Sequence, residues 1–310
     1  MGYDCKTEFS FSLVLCLINA KSGKGRDIAE EKIISEFDKE INTTNKQKQA
    51  MEKLKKHQNF KIWKSILDID IQKEFSEIEY RQLEPHSFTF FTSVSVMSSL
   101  KIEGEQMELD SYVKHKMLNI EYPAEIIEKS NDLYKAYLFA KENKLTQKNF
   151  LQAHLFISAN LLPKVQQAVL RQKEMLVTEH KTGRIQYEAA PMTIVKKQYS
   201  KLWKEIEMLL DNELTIQEIF YYAAFIHLTF VNLQPFSDGN STISRLLEKW
   251  FLAEKLGERA WYIKSENYYY KNVDSYYKNL ARLGLFYEGL NYEKSVPFLL
   301  MLPKSLTFEK

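Results

Sequence analysis

The stretch from Glu213 to Gly257 limits what this chain can fold into more than any other. Thr215 and Glu218 stand three apart, as in a capping box, where two side chains satisfy backbone N–H groups that the first helical turn leaves unpaired. Ile219, Tyr222, Ala223, Ile226 and Phe230 then recur on one helical face, so the spacing predicts a buried, central helix over 213–230. Pro235 carries no N–H and disfavours helical backbone in the residue before it, which stops that helix near Gln234. Asp238-Gly239-Asn240 supplies a turn. A second helix starts near Ser241, carries Ile243, Leu246, Leu247, Trp250 and Phe251, and ends at Gly257. Two apolar helices joined by a tight polar loop need further helices to cover them.

The rest of the chain supplies those helices. Its 310 residues include only 9 Gly and 7 Pro, too few breakers for a turn-dense all-β fold, and an all-α fold is expected. From Phe60 onward apolar residues recur at helical spacing, as in Ile62, Ile66 and Leu67, and again in Phe150, Leu151, His154 and Leu155. The exception is Met175 to Pro191, where Val177, Ile185 and Tyr187 flank Lys181-Thr182-Gly183-Arg184; short β-prone runs around a turn predict a small hairpin.

Charge and cysteine exclude several function classes. With 43 basic and 41 acidic residues the net charge is +2, which gives no global field to draw nucleic acid or an anionic membrane, and neither is expected as a partner. Cys5 and Cys16 lie near the start, so the body of the chain has no thiolate zinc site or disulfide framework, and the cytosol is the default compartment. Phe9 to Ile18 is an apolar run of signal-core length, too short to span a bilayer. It reads either as the leader of an exported chain or as part of an extension that continues through the lysine-rich residues 21–56, with Met51 as an alternative start. The expected organisation is an N-terminal extension over 1–56, a helical region over 57–130 and a core over 131–310.

The loop between the two central helices carries the chemistry. A helix N-terminus offers free N–H groups and a favourable dipole to a phosphate. Gly239 and Asn240 let the backbone approach such an anion, Asp238 offers a hard oxygen to Mg²⁺, and Arg245 lies one turn into the second helix. Those are the parts of a nucleotide triphosphate site. The tyrosines Tyr268, Tyr269, Tyr270, Tyr276 and Tyr277 read either as core packing or as a wall of an adenine pocket.

The segment Gln234-Pro-Phe-Ser-Asp-Gly-Asn-Ser-Thr-Ile-Ser-Arg245 resembles the signature loop of the Fic (Fido) family of protein-modifying AMP transferases, His-Pro-Phe-x-Asp/Glu-Gly-Asn-Gly-Arg-x-x-Arg. Pro235, Phe236, Asp238, Gly239, Asn240 and Arg245 fall in register with it, and His227 and Phe230 match the helix that precedes it. Upstream, Ser99-Leu-Lys-Ile-Glu103-Gly104 is similar to the family's inhibitory motif, with Ser99 and Glu103 on one helical face and Gly104 at its end. The resemblance spans about Phe88 to Leu280. It implies a Fic-type helical bundle with a β-hairpin flap and ATP with Mg²⁺ as cofactors. It implies a protein partner presenting a Ser, Thr or Tyr hydroxyl, aligned by the flap at Ile185, Gln186 and Tyr187 through strand-like pairing. It also implies nucleotide contacts from Gly239, Asn240, Ser241, Thr242, Arg245 and Asn272, and self-inhibition in which Glu103 binds Arg245 and fills the γ-phosphate space. No winged-helix DNA-binding module is expected after Leu280.

The loop departs from that family at its chemical centre. Gln234 stands where the family's histidine removes the proton of the target hydroxyl, and a carboxamide has no useful basicity near neutral pH. Losing a positioned base forfeits about 10²–10⁴ in rate. Ser241 replaces the loop's second glycine, and a left-handed backbone there would cost about 1–2 kcal/mol. Thr242 replaces its first arginine, which removes a charge-assisted phosphate contact of about 1.5–3 kcal/mol. Three functions remain compatible: a catalytically impaired transferase that retains nucleotide or partner binding, a transferase with a different phosphate-containing donor, and a protein-interaction module with a vestigial site.

Overall fold

Helices follow one another along the chain because apolar residues recur at a helical period and few residues interrupt them. The structure, a computed structural model, describes residues 59–78, 85–178, 183 and 185–308, with the side chains of Pro85 and His86 outside the description. The sequence readings on residues 1–56, and on the hairpin tip at Lys181, Thr182 and Arg184, lie outside the described residues. A helical stretch over 59–66 leads into α1 (Ile71–Ser76), α2 (Pro85–Ile102), α3 (Leu109–Leu118), α4 (Ala124–Glu142) and α5 (Gln147–Ile157). An antiparallel hairpin follows, β1 (Leu176–Thr178) with β2 (Ile185–Glu188), in which Val177 pairs with Tyr187. Then come α6 (Met192–Asp211), α7 (Ile216–Leu233), α8 (Asn240–Leu256), α9 (Ser265–Lys271) and α10 (Val273–Ala281), with α11 (Val296–Leu299) and α12 (Met301–Lys304) near the end. The expected helical fold with one small hairpin is what forms.

α7 is the hub. Thr215 caps it, accepting from Glu218 N–H at 3.3 Å while the Glu218 carboxylate accepts from Thr215 N–H at 2.9 Å. Tyr221, Ala224, Leu228 and Val231 are buried on one side and Ile219, Ala223, Ile226 and Phe230 on another, so neighbours surround the helix. A helix apolar all round has to sit inside the bundle. It packs against α8, α6, α11, α12 and α1, and Phe60 and Trp63 bring the 59–66 helix onto Tyr221 with ring centroids 5.1 and 5.6 Å away. Residues 59–310 make up one compact unit.

α2 docks against α9, α3, α4 and α8. Its small buried serines, Ser93, Ser95, Ser98 and Ser99, let its backbone come close to those helices. The helix stops at a left-handed glycine: Gly104 has φ +90°, Glu105 N–H reaches back to Leu100 O at 3.0 Å, and Gly104 N–H to Lys101 O at 3.1 Å. This is a Schellman cap. Tyr277 Oη donates to the next free carbonyl, Ile102 O, at 3.0 Å, so Glu103 is held at the end of a fixed turn.

Candidate active site

The loop between α7 and α8 is built by satisfying groups that the two helix ends leave open. α7 ends with Gln234 at φ +47°, its N–H bonded to Phe230 O at 3.0 Å. Asn240 then ties the loop to itself: its Oδ1 accepts from Phe236 N–H at 2.8 Å and its Nδ2 donates to Phe236 O at 2.7 Å. Phe236 is fully buried and stacks on His154, ring centroids 3.8 Å apart. Gly239, at φ +76°, lets the chain enter α8, and a Cβ there would lie 3.3 Å from Ile157 Cγ2 and 3.5 Å from His154 Nε2.

Two residues that sequence reasoning missed hold this loop in place. His154 accepts Ala168 N–H at Nδ1, 3.1 Å, so its proton is on Nε2, which donates to Asp238 O at 3.0 Å. Burial pushes its pKa down to about 4, against the weaker pull of Asp238. Arg171 is buried, and burial lowers its pKa. Its Nε donates to Gln234 O at 2.7 Å, its other nitrogens reach Lys173 O, Ala190 O and Leu233 O, and its main-chain N–H bonds Pro235 O at 2.9 Å. One guanidinium thereby satisfies carbonyls at the end of α7 and ties them to the flap. Neither residue carried a local signal, because each acts on a loop more than sixty positions away.

The other sequence-predicted residues fall as follows. Gln234 is buried, and its Nε2 donates to Tyr187 Oη of the flap at 2.9 Å. The side chain of Asp238 is exposed, with Oδ1 accepting Gly239 N–H at 2.6 Å; its other oxygen could meet a cation of the kind that one carboxylate and a phosphate hold together. Ser241 and Thr242 lie in the first turn of α8, whose leading N–H groups have no intrahelical acceptor. The left-handed backbone expected at Ser241 does not occur, because α8 already begins at Asn240; the loop's positive φ values fall on Gln234 and Gly239. Ile185 is exposed and Gln186 half-buried. Asn272 donates from Nδ2 to Tyr268 O at 2.9 Å, closing the end of α9.

Arg245 is fully buried, and Ser99 and Glu103 of α2 converge on it. Nε donates to Ser99 Oγ at 2.7 Å, and Nη2 donates to Ser99 O at 3.0 Å and to Glu103 Oε1 at 2.8 Å. Nη1 is 3.5 Å from Tyr276 Oη. Burial opposes the charge of Arg245, but Glu103 and Tyr276 outweigh it and raise the pKa. Only Glu103, with its side chain 38 % exposed, has an easy route out. Tyr276, its own pKa pushed up to about 12 by burial, continues inward to His227 Nε2 at 3.0 Å. His227 Nδ1 lies 2.8 Å from Glu248, which also accepts from Tyr269 Oη at 2.9 Å. His227, Tyr269 and Tyr276 are therefore parts of a buried polar network, and the packing reading of those two tyrosines describes their surroundings.

The sequence pattern of the Fic/DOC family matches residues 144–252, a span that includes α5, the flap, α7 and the loop. Residues 144–252 are a Fic/DOC domain. Solved structures similar to this chain agree in fold. A Fic family protein from Desulfovibrio desulfuricans superposes with a TM-score of 0.62 at 19% identity, over 76% of this chain and 70% of that one. A Fic domain containing signaling protein from Bacteroides thetaiotaomicron gives 0.54 at 18%, over 82% and 95%. Fic-1 from C. elegans gives 0.54 at 14%, over 98% and 92%. A search of curated proteins gave no match. The Ser99–Gly104 segment at the end of α2 precedes the matched span, so the Fic/DOC domain and the helix that reaches its Arg245 come from separate parts of the sequence.

Proposed function

We propose that this chain is a base-deficient relative of the Fic AMP transferases, one that keeps a nucleotide-binding loop and holds it closed through Glu103. The observation that carries this reading is the side chain at 234: a carboxamide, bonded to Tyr187, in a loop whose other supports are complete. A glutamine cannot take a proton from a hydroxyl at neutral pH. In this reading, ATP would lie at the N-terminus of α8, along Gly239, Asn240, Ser241 and Thr242, with Asp238 offering one oxygen to Mg²⁺, which neutralises phosphate charge when bound. Arg245 could meet the terminal phosphate only after Glu103 leaves, because its Nε and Nη2 are already engaged.

Incubation with Mg²⁺ and labelled ATP tests the proposal. Wild type should label neither itself nor added protein. Gln234→His with Glu103→Gly should gain AMP transfer, with a rate at least ~10² above either single change if the base is the missing element. Robust labelling by wild type that Gln234→Ala abolishes would overturn the reading. Calorimetry addresses the alternative of an interaction module: ATP affinity that rises with Glu103→Gly supports a working triphosphate site, and no ATP binding in either form favours the module.

A further inference from the structure

The carbonyl of Val231 loses its usual partner where α7 ends. In a continuing helix it would accept from residue 235, but Gln234 turns left-handed and residue 235 is a proline with no N–H. The Tyr187 hydroxyl takes that carbonyl instead, at 2.9 Å. A phenol has one proton to give. With that proton committed to Val231 O, Tyr187 Oη can only accept from a second partner, and the side chain at 234, 2.9 Å away, has to present an N–H. Gln234 does so with Nε2, and the planar carboxamide then turns Oε1 away from Tyr187. Among the described residues Oε1 meets no hydrogen-bond donor. Burial raises the pKa of Tyr187, which keeps the hydroxyl protonated and the arrangement intact.

We propose that Tyr187 is the positioning residue for position 234: it fixes the Gln234 carboxamide with Nε2 inward and Oε1 free, so that the site accepts a hydrogen bond from a ligand hydroxyl without removing its proton. This rests on reading residue 234 as the position that faces an acceptor hydroxyl. The same geometry governs a histidine placed there. Its ring would donate one N–H to Tyr187 and keep the other nitrogen unprotonated, so Tyr187 would select the tautomer whose basic nitrogen points away from it.

The test uses the full chain labelled with ¹⁵N-glutamine, in which Gln234→Ala identifies the side-chain resonance of Gln234. Its amide protons should exchange with water roughly fivefold faster in Tyr187→Phe than in wild type, the factor expected for one lost hydrogen bond. Equal rates would overturn the proposal. N-acetyltyrosinamide should shift the Gln234 resonance where N-acetylphenylalaninamide does not, and equal responses to the two would remove the hydroxyl-capture step. Tyr187→Phe also orphans Val231 O and could fold poorly, so Gln234→His with Tyr187 intact gives a second arm. Above its titration, imidazole ¹⁵N shifts should report a single tautomer, and a mixture would sink the idea. None of these readouts needs nucleotide, so they stand or fall separately from AMP transfer.

Discussion

His154 is the residue whose role the sequence hid most completely. At helical spacing with Phe150 and Leu151 it reads as a core position, and nothing nearby names the partner it finds at Asp238. Its geometry makes the loop sensitive to acid. The folded pKa near 4 is below the unfolded value of 6.5, so between those limits the unfolded chain binds a proton that the folded chain refuses. Stability from this site is complete above pH 6.5 and is lost as pH falls toward 4, by up to about 3 kcal/mol. His154→Gln keeps a donor for Asp238 O and an acceptor for Ala168 N–H but does not titrate. The stability difference between wild type and His154→Gln, followed by denaturant unfolding from pH 7 to 4, should shrink with acid. A constant difference would mean that His154 does not titrate as its burial requires.

At the scale of elements, features written within a few residues could be read from the sequence. The capping box of α7, the proline that ends it, the hairpin and the glycine after α2 follow from local backbone chemistry, and all form. What closes the site joins elements far apart in sequence: Arg171 to the end of α7, Tyr187 to Val231, Tyr277 to the last turn of α2. Local spacing contains no trace of these contacts. The resemblance to a known loop brought Glu103 and Arg245 together in expectation, whereas the Schellman cap that holds Glu103 became visible only in three dimensions. That cap yields a prediction. Gly104→Ala forces a Cβ onto a backbone at φ +90°, costing about 1–2 kcal/mol. The last turn of α2 should loosen, and amide exchange at Glu103 and Glu105 should rise before that of the helix centre. Uniform protection along α2 would mean that the glycine does not set the position of Glu103.

Across the whole molecule, the expected helical regions 57–130 and 131–310 meet at a buried charge pair of the second region. Lys249, one turn beyond Arg245 on α8, pairs with Glu266 of α9 with both side chains fully buried, and also donates to Ser95 Oγ of α2 and to Ile263 O, each at 2.8 Å. Tyr137 of α4 donates to the same carboxylate at 2.6 Å. Burial works against the charge of Glu266, but Lys249 and Tyr137 outweigh it and lower its pKa. Ser95 of α2 thus covers a desolvated pair of the second region, and α2 cannot leave without taking a hydrogen bond from Lys249. Lys249→Met strands the Glu266 carboxylate in the interior and should cost about 3–5 kcal/mol. Lys249→Met with Glu266→Leu removes both charges and should recover most of that loss, because a buried pair contributes little net stability over apolar side chains of similar volume. Urea unfolding followed both by tryptophan fluorescence and by a probe on α2 should give coincident transitions in wild type. If α2 melted first while the core stayed folded, α2 would be a separable arm. Glu103 would then release Arg245 by undocking of the whole helix. With coincident transitions, α2 stays docked until the core unfolds, and parting Glu103 from Arg245 would need movement only in the last turn of α2, where Glu103 is the one hydrogen-bond partner of the guanidinium that reaches solvent.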